Sequence, residues 1–80
     1  MDVKVVAYGI AKDIINGREL TMLVDDNSSI GDLKLQLLTL YPAFIDLASL
    51  SFAVEEEYQD DDYLLKNDQT VVIIPPVSGG

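Results

Sequence analysis

Residues Ser29–Pro42 read SIGDLKLQLLTLYP, and this stretch decides how the rest of the chain is arranged. Ile30, Leu33, Leu37 and Tyr41 fall at helical spacing, and Leu38 widens the apolar stripe. Ser29 followed three residues later by Asp32 resembles a capping box, with Asp standing where Glu is preferred. Pro42 disfavours helical geometry at Tyr41, so the helix is predicted to end near that residue. It is the only long helix that the pattern offers.

Strand signals lie on both sides of it. Upstream, VKVVAY (Val3 to Tyr8) is rich in β-branched residues, and ELTMLV (Glu19 to Val24) reads as a returning strand. Asn16-Gly17 between them is a tight-turn signal. The intervening IAKDII fits either a longer hairpin or one helical turn, and the expectation is a loop with a short turn. Downstream, LSFAV (Leu50 to Val54) alternates as a half-buried strand, and a small strand is expected near Tyr58. Thr70 to Ile74 is a continuous apolar run, the mark of a strand inside a sheet rather than at its edge. A hairpin, one crossing helix and further strands give a mixed sheet in which the last strand lies parallel to the first. The expected class is α+β: a β-grasp, a mixed sheet packed on one main helix, with an extended C-terminal tail. Residues 1–76 form the expected domain and 77–80 a flexible tail ending in Gly-Gly.

One helix covers one face of a sheet. Val3, Val5 and Ala7 point one way along the first strand, while Val6 and Tyr8 point the other. The last strand is apolar on both sides, so some apolar surface is left on the uncovered face, where docking would bury it.

Composition narrows the function. Eighty residues make one small domain, burying roughly 60% of its unfolded surface. The sequence has 49% apolar residues and 24% charged ones, an ordinary globular balance. No apolar run reaches the roughly 18 residues of a membrane helix, and no signal peptide is visible, so the expected compartment is the cytoplasm. Without Cys or His, thiolate chemistry, zinc fingers and the commonest neutral-pH base are excluded, and no metal site is expected. Fourteen Asp and Glu against five Lys and Arg give a net charge of −9. That charge disfavours nucleic acid and anionic membranes and suits a basic protein partner. Phosphate-binding glycine motifs are absent, and Asp60-Asp61-Asp62 lacks the alternating ligands of a calcium loop. The expectation is a chain without catalytic activity of its own and without a bound cofactor.

The sequence closes on VVIIPPVSGG (Val71 to Gly80). Pro75 and Pro76 fix φ and favour an extended backbone leaving the sheet in a defined direction. Val77 to Gly80 would reach roughly 13 Å further at about 3.3 Å per residue. Gly79-Gly80 lacks side chains and fits a narrow channel. A slim arm ending in a carboxylate suits another protein's active site.

This ending closely resembles that of the small subunits of molybdopterin synthase, ubiquitin-like sulfur carriers of the MoaD/ThiS family. The resemblance runs along the whole chain: Tyr8 leads into GIAKDI, LTLYP closes the helix, and FAVEEEY stands where the family has a strand and turn. Glu55-Glu56-Glu57 departs from the family, which often has Asn in that turn. The resemblance implies that Gly80 carries sulfur as a thiocarboxylate, made after ATP-dependent adenylation by an E1-like partner and displacement of AMP by a sulfur donor protein. It implies that Pro75, Pro76, Val77, Ser78, Gly79 and Gly80 enter the active site of a large subunit within a heterotetramer. There the sulfur would build the dithiolene of the molybdenum cofactor. It further implies that Tyr8, Tyr58 and Ile74 form an apolar docking patch and that Lys12 contacts the large subunit. Other readings are a carrier for thiamine thiazole or tRNA thiolation, and a ubiquitin-like protein modifier.

Overall fold

The computed structural model describes residues 1–46 and 50–75. Five strands form one mixed sheet in the order β2-β1-β5-β3-β4. They are β1 (Asp2–Ala7), β2 (Glu19–Leu23), β3 (Ser51–Val54), β4 (Glu57–Gln59) and β5 (Thr70–Ile74). As expected, β5 lies between two neighbours and runs parallel to β1, with Val5 opposite Val71 and Ala7 opposite Ile73. The other pairs, β1–β2, β3–β5 and β3–β4, are antiparallel.

The long helix is α2 (Ile30–Leu40). Its capping box is formed: Asp32 N–H donates to Ser29 Oγ at 3.1 Å, and Ser29 N–H donates to Asp32 Oδ2 at 3.0 Å. Tyr41 closes it at the position set by Pro42, and a 3₁₀ turn follows over Pro42–Asp46. Ile30, Leu33 and Leu37 pack on Val3, Val5, Val71, Ile73 and Phe52 in a single buried cluster. Phe44 joins it from the 3₁₀ turn, meeting Tyr41 edge to face with ring centroids 6.2 Å apart.

One expectation fails. The segment between β1 and β2 is not a loop with a short turn but a helix, α1 (Gly9–Ile15). Ala11 and Ile15, four residues apart, are buried, so a hydrophobic contact with the main core sustains a helix too short to stand alone. Asn16-Gly17 accordingly does not make a hairpin turn. Asn16 adopts the left-handed conformation (φ 59°, ψ 44°), and the Asn16 and Gly17 N–H groups both donate to Lys12 O, a helix C-cap. The same residues that signal a hairpin signal a helix end, and burial of Ala11 decides between them.

The β3–β4 hairpin has Glu55 and Glu56 as its two loop residues, since Val54 pairs with Glu57. Both have positive φ (53° and 69°), the conformation for which Asn-Gly is the favoured pair. Beyond β4, residues 60–69 are stitched to the body by their backbone: Leu65 N–H donates to Ser28 O, and Lys4 N–H donates to Gln69 O. The boundary expected between residues 76 and 77 lies outside the described residues.

Candidate functional site

The face of the sheet away from α2 is built by register alone. Val6 lies opposite Glu19 on one side and Val72 on the other; Val72 lies opposite Ala53, and Ala53 opposite Tyr58. Because pairing partners share a face, these residues form one row across all five strands. Their inward neighbours Val5, Val71, Phe52 and Val54 are all buried. Alternation along β5 places Ile74 on the outer face with Val72, and Ser51 opposite it. Tyr8 follows Ala7 in extended conformation (φ −128°, ψ 161°) and continues that face beside Ile74.

The structure therefore brings together three residues that the sequence singled out. Tyr58 is 70% exposed and Tyr8 59%, unusually open for large aromatic groups, and Ile74 is half-buried. Val6 and Val72, also half-buried, fill the space between them. Ala53, on the same face, is buried to 8% exposure among these neighbours. The sequence did not single out Val72 and Ala53; the signal was the period-two alternation, which becomes informative only once the register is known. Lys12 stands apart from this row. It is exposed on α1, and its backbone oxygen holds the C-cap.

Polar residues flank the apolar row. Lys4, Thr21 and Thr70 share the same face one step further along the strands, with Asp2 and Asp68 beside them around a shallow recess of about 360 Å³. On the β4 side, the hairpin-loop residues Glu55 and Glu56 are exposed near Tyr58, whereas Asp61 lies on the α2 side, 3.6 Å from Lys34 Nζ. An apolar centre with a charged rim is the usual anatomy of a protein–protein contact surface.

At the upper end of this face the strands part. The β1–β5 pairing runs to Ala7–Ile73 and the β3–β5 pairing to Ser51–Ile74. Pro75 follows, half-buried, without an N–H to extend either ladder. The chain thus leaves the sheet next to the patch, between Tyr8 and Ser51. Pro76, Val77, Ser78, Gly79 and Gly80, the other residues expected to act, lie outside the described residues.

The start of α2 is closed to anions. A helix N-terminus offers free N–H groups to a phosphate. Here Ile30 N–H donates to Tyr63 O (2.9 Å), Gly31 N–H to Asp61 O (2.8 Å) and Asp32 N–H to Ser29 Oγ. No helix among the described residues is long and apolar enough to cross a membrane.

Comparison with known proteins agrees with this geometry. A molybdopterin synthase sulfur carrier subunit of Chlamydomonas reinhardtii is 31% identical over 83 residues, with all of both chains covered. Among solved structures, the small archaeal modifier protein 1 of Methanosarcina acetivorans superposes with a TM-score of 0.82 at 22% identity, over 99% of this chain and 96% of that one. Subunit 1 or 2 in the Helicobacter pylori complex of the molybdopterin-converting factor superposes with a TM-score of 0.70 at 21% identity, over 100% of each chain. These likenesses bear out the ubiquitin-like β-grasp fold. Residues 7–80 match the ThiS family from the end of β1 through Gly80, and the chain belongs to that family.

Proposed function

We propose that this chain is the sulfur carrier subunit of a molybdopterin synthase, acting in molybdenum cofactor biosynthesis. The observation that carries the reading is the family match over residues 7–80, together with a relative of that name aligned over its whole length. The structure supports it with an apolar sheet face lying beside the point where the chain leaves the sheet.

The chemistry belongs to Gly80. Its carboxylate is a resonance-stabilised anion and a poor electrophile. Attack of that carboxylate on the α-phosphorus of ATP, within an E1-like partner, releases pyrophosphate and leaves an acyl-adenylate. Sulfide released by a sulfur donor protein then attacks the acyl carbon and displaces AMP to give the thiocarboxylate. The sulfur, ionised and polarisable, adds to the pterin precursor in the large subunit, and water cleaves the resulting acyl link to restore the carboxylate. Two such transfers build the dithiolene.

The chain supplies the sulfur and the docking face; ATP binding, acid–base groups and the pterin site come from its partners. Tyr8, Tyr58 and Ile74 hold the large subunit, with Lys12 adding a charged contact, and residues 75–80 enter its active site. The assembly is a heterotetramer with one carrier at each end of a large-subunit dimer. The chain works in the cytoplasm, where ATP is available to the activating enzyme.

The test is the state of Gly80 in cells. Intact-mass measurement of the purified chain should find a fraction with one oxygen replaced by sulfur. Deleting Gly79-Gly80 should abolish dithiolene formation with the large subunit. It should shift stability by less than about 0.5 kcal/mol, since the buried core among the described residues ends at Ile73. Conjugates through Gly80 to target lysines, without thiocarboxylate, would make it a protein modifier instead. Thiocarboxylate that feeds only thiazole or tRNA thiolation would make it a carrier for another product.

A further inference from the structure

We propose that the open edge of β2 is a self-association surface: two copies of this chain pair antiparallel along it, about a two-fold axis at Thr21, and join their sheets into one. β2 is the five-residue edge of the sheet; the other edge, β4, has only three residues. Its register with β1 runs unbroken from Glu19 to Leu23. In an antiparallel pair the backbone groups of successive residues turn alternately toward the neighbouring strand and away from it. Val24 N–H donates to Met1 O and Ala7 N–H to Arg18 O, so Arg18, Leu20, Met22 and Val24 turn toward β1. Lys4, opposite Thr21, donates its N–H to Gln69 O on the far side, as the alternation requires. The N–H and C=O groups of Glu19, Thr21 and Leu23 therefore point out of the sheet, a template for another strand. Among the described residues, one of these groups has a partner: Gln36 Nε2 donates to Leu23 O at 3.0 Å, and a carbonyl oxygen accepts a second bond.

One register uses the whole edge. A two-fold axis at Thr21 sets Thr21 against Thr21 and Glu19 against Leu23, so each outward N–H meets an outward C=O. Moving the axis either way sets Glu19 or Leu23 against a residue beyond the strand. Pairing at Thr21 also covers part of Leu23, which is 71% exposed in the single chain.

Charge fits the same register. Arg18 of one copy comes to lie opposite Val24 of the other. Glu19 shares the outer face with Val6, so Arg18 and Val24 lie on the α2 side. Arg18 is exposed and makes no ion pair among the described residues. Beside Val24, a recess of about 420 Å³ is lined by Asp25, Asp26, Asp32 and Gln36. The guanidinium of each copy thus meets the acidic recess of the other, twice by symmetry. The net charge of −9 opposes the approach at longer range, which makes the dimer weak and dependent on salt. Joined edge to edge, the two sheets leave their outer faces uncovered, so self-association does not depend on the sulfur-carrier reading.

Sedimentation equilibrium of the purified chain, up to about 1 mM where weak contacts become populated, measures the dimer. It should tighten as salt rises from about 0.01 M to about 0.15 M, because the screening length falls from about 30 Å to about 8 Å. Amide spectra should show concentration-dependent shifts at Glu19, Thr21 and Leu23. Thr21→Pro removes the central donor while sparing the monomer, whose Thr21 N–H faces solvent, and should raise the dimer Kd about tenfold or more. Arg18→Glu, at an exposed side chain, should weaken the dimer about tenfold, and Asp25→Arg added to it should restore most of the loss. Circular dichroism checks that each variant is folded; the Arg18 pair decides the matter should proline disturb the strand. A chain that stays monomeric at both salts would overturn the proposal. So would shifts centred on Tyr58 and Val72 instead of β2, or a double variant no tighter than Arg18→Glu alone.

Discussion

Tyr58→Ala offers the sharpest separation of docking from folding. Tyr58 stands on the edge strand β4 with 70% of its surface exposed, so most of its apolar area is free to be covered by a partner. A tyrosine presents roughly 200 Å², of which about 140 Å² is therefore available, worth about 3.5 kcal/mol at roughly 25 cal/mol per Å². The hydroxyl and the retained Cβ reduce the expected loss to about 2 kcal/mol, or roughly 30-fold in Kd for the large subunit. The folding cost is smaller. What Tyr58 gives the isolated chain is a cross-strand pair with Ala53, worth about 0.2–1 kcal/mol, which lowers Tm by less than about 8 °C. Isothermal titration of the purified large subunit with wild-type and variant chains measures the first quantity, and thermal unfolding the second. Leu35→Ala is the control: Leu35 is 66% exposed, but on α2, behind the sheet. The docking assignment fails if Tyr58→Ala leaves Kd within about twofold of wild type, or if Leu35→Ala weakens binding equally.

Two further outcomes test the assignment of faces and turns. Ile74→Asp should keep the circular dichroism spectrum of the folded chain and lose affinity for the large subunit, whereas Ile73→Asp, at a fully buried neighbour, should unfold it; equal unfolding by both would show that Ile74 belongs to the core. Replacing Glu55-Glu56 with Asn-Gly should raise stability by about 1 kcal/mol and Tm by roughly 4–8 °C, because both positions have positive φ; no gain in thermal unfolding would refute the strain.

Much of the fold could be read from the sequence because the decisive signals are local and redundant. Ser29, Asp32 and Pro42 mark both ends of α2 independently of its apolar stripe, and all three agree with the structure. The unbroken apolar run Val71–Ile74 pointed to an inner strand, and β5 does lie between β1 and β3. The IAKDII segment misled for a physical reason. Its helix lasts seven residues and is held by Ala11 and Ile15 reaching a core that other segments build, which no local propensity records. The face proposed for docking was legible in part. Tyr8, Tyr58 and Ile74 were named from resemblance, but their meeting on one surface depends on the register of β3 with β4 and β5, and pairing across the sheet is not written in any single segment.

On the sulfur-carrier reading, the two faces of the sheet divide stability from recognition, and β5 is where that division matters most. Val71 and Ile73 face α2 and are fully buried, so the strand's inward side is committed to folding. Val72 and Ile74 face outward between the tyrosines, so its other side is free for a partner. The same five residues then hand the chain to Pro75. A partner that covers Val72 and Ile74 thereby grips the strand whose continuation carries Gly80. On the sulfur-carrier reading, docking and delivery would be mechanically joined, because the outer face of β5 and the exit share one strand held by β1 and β3.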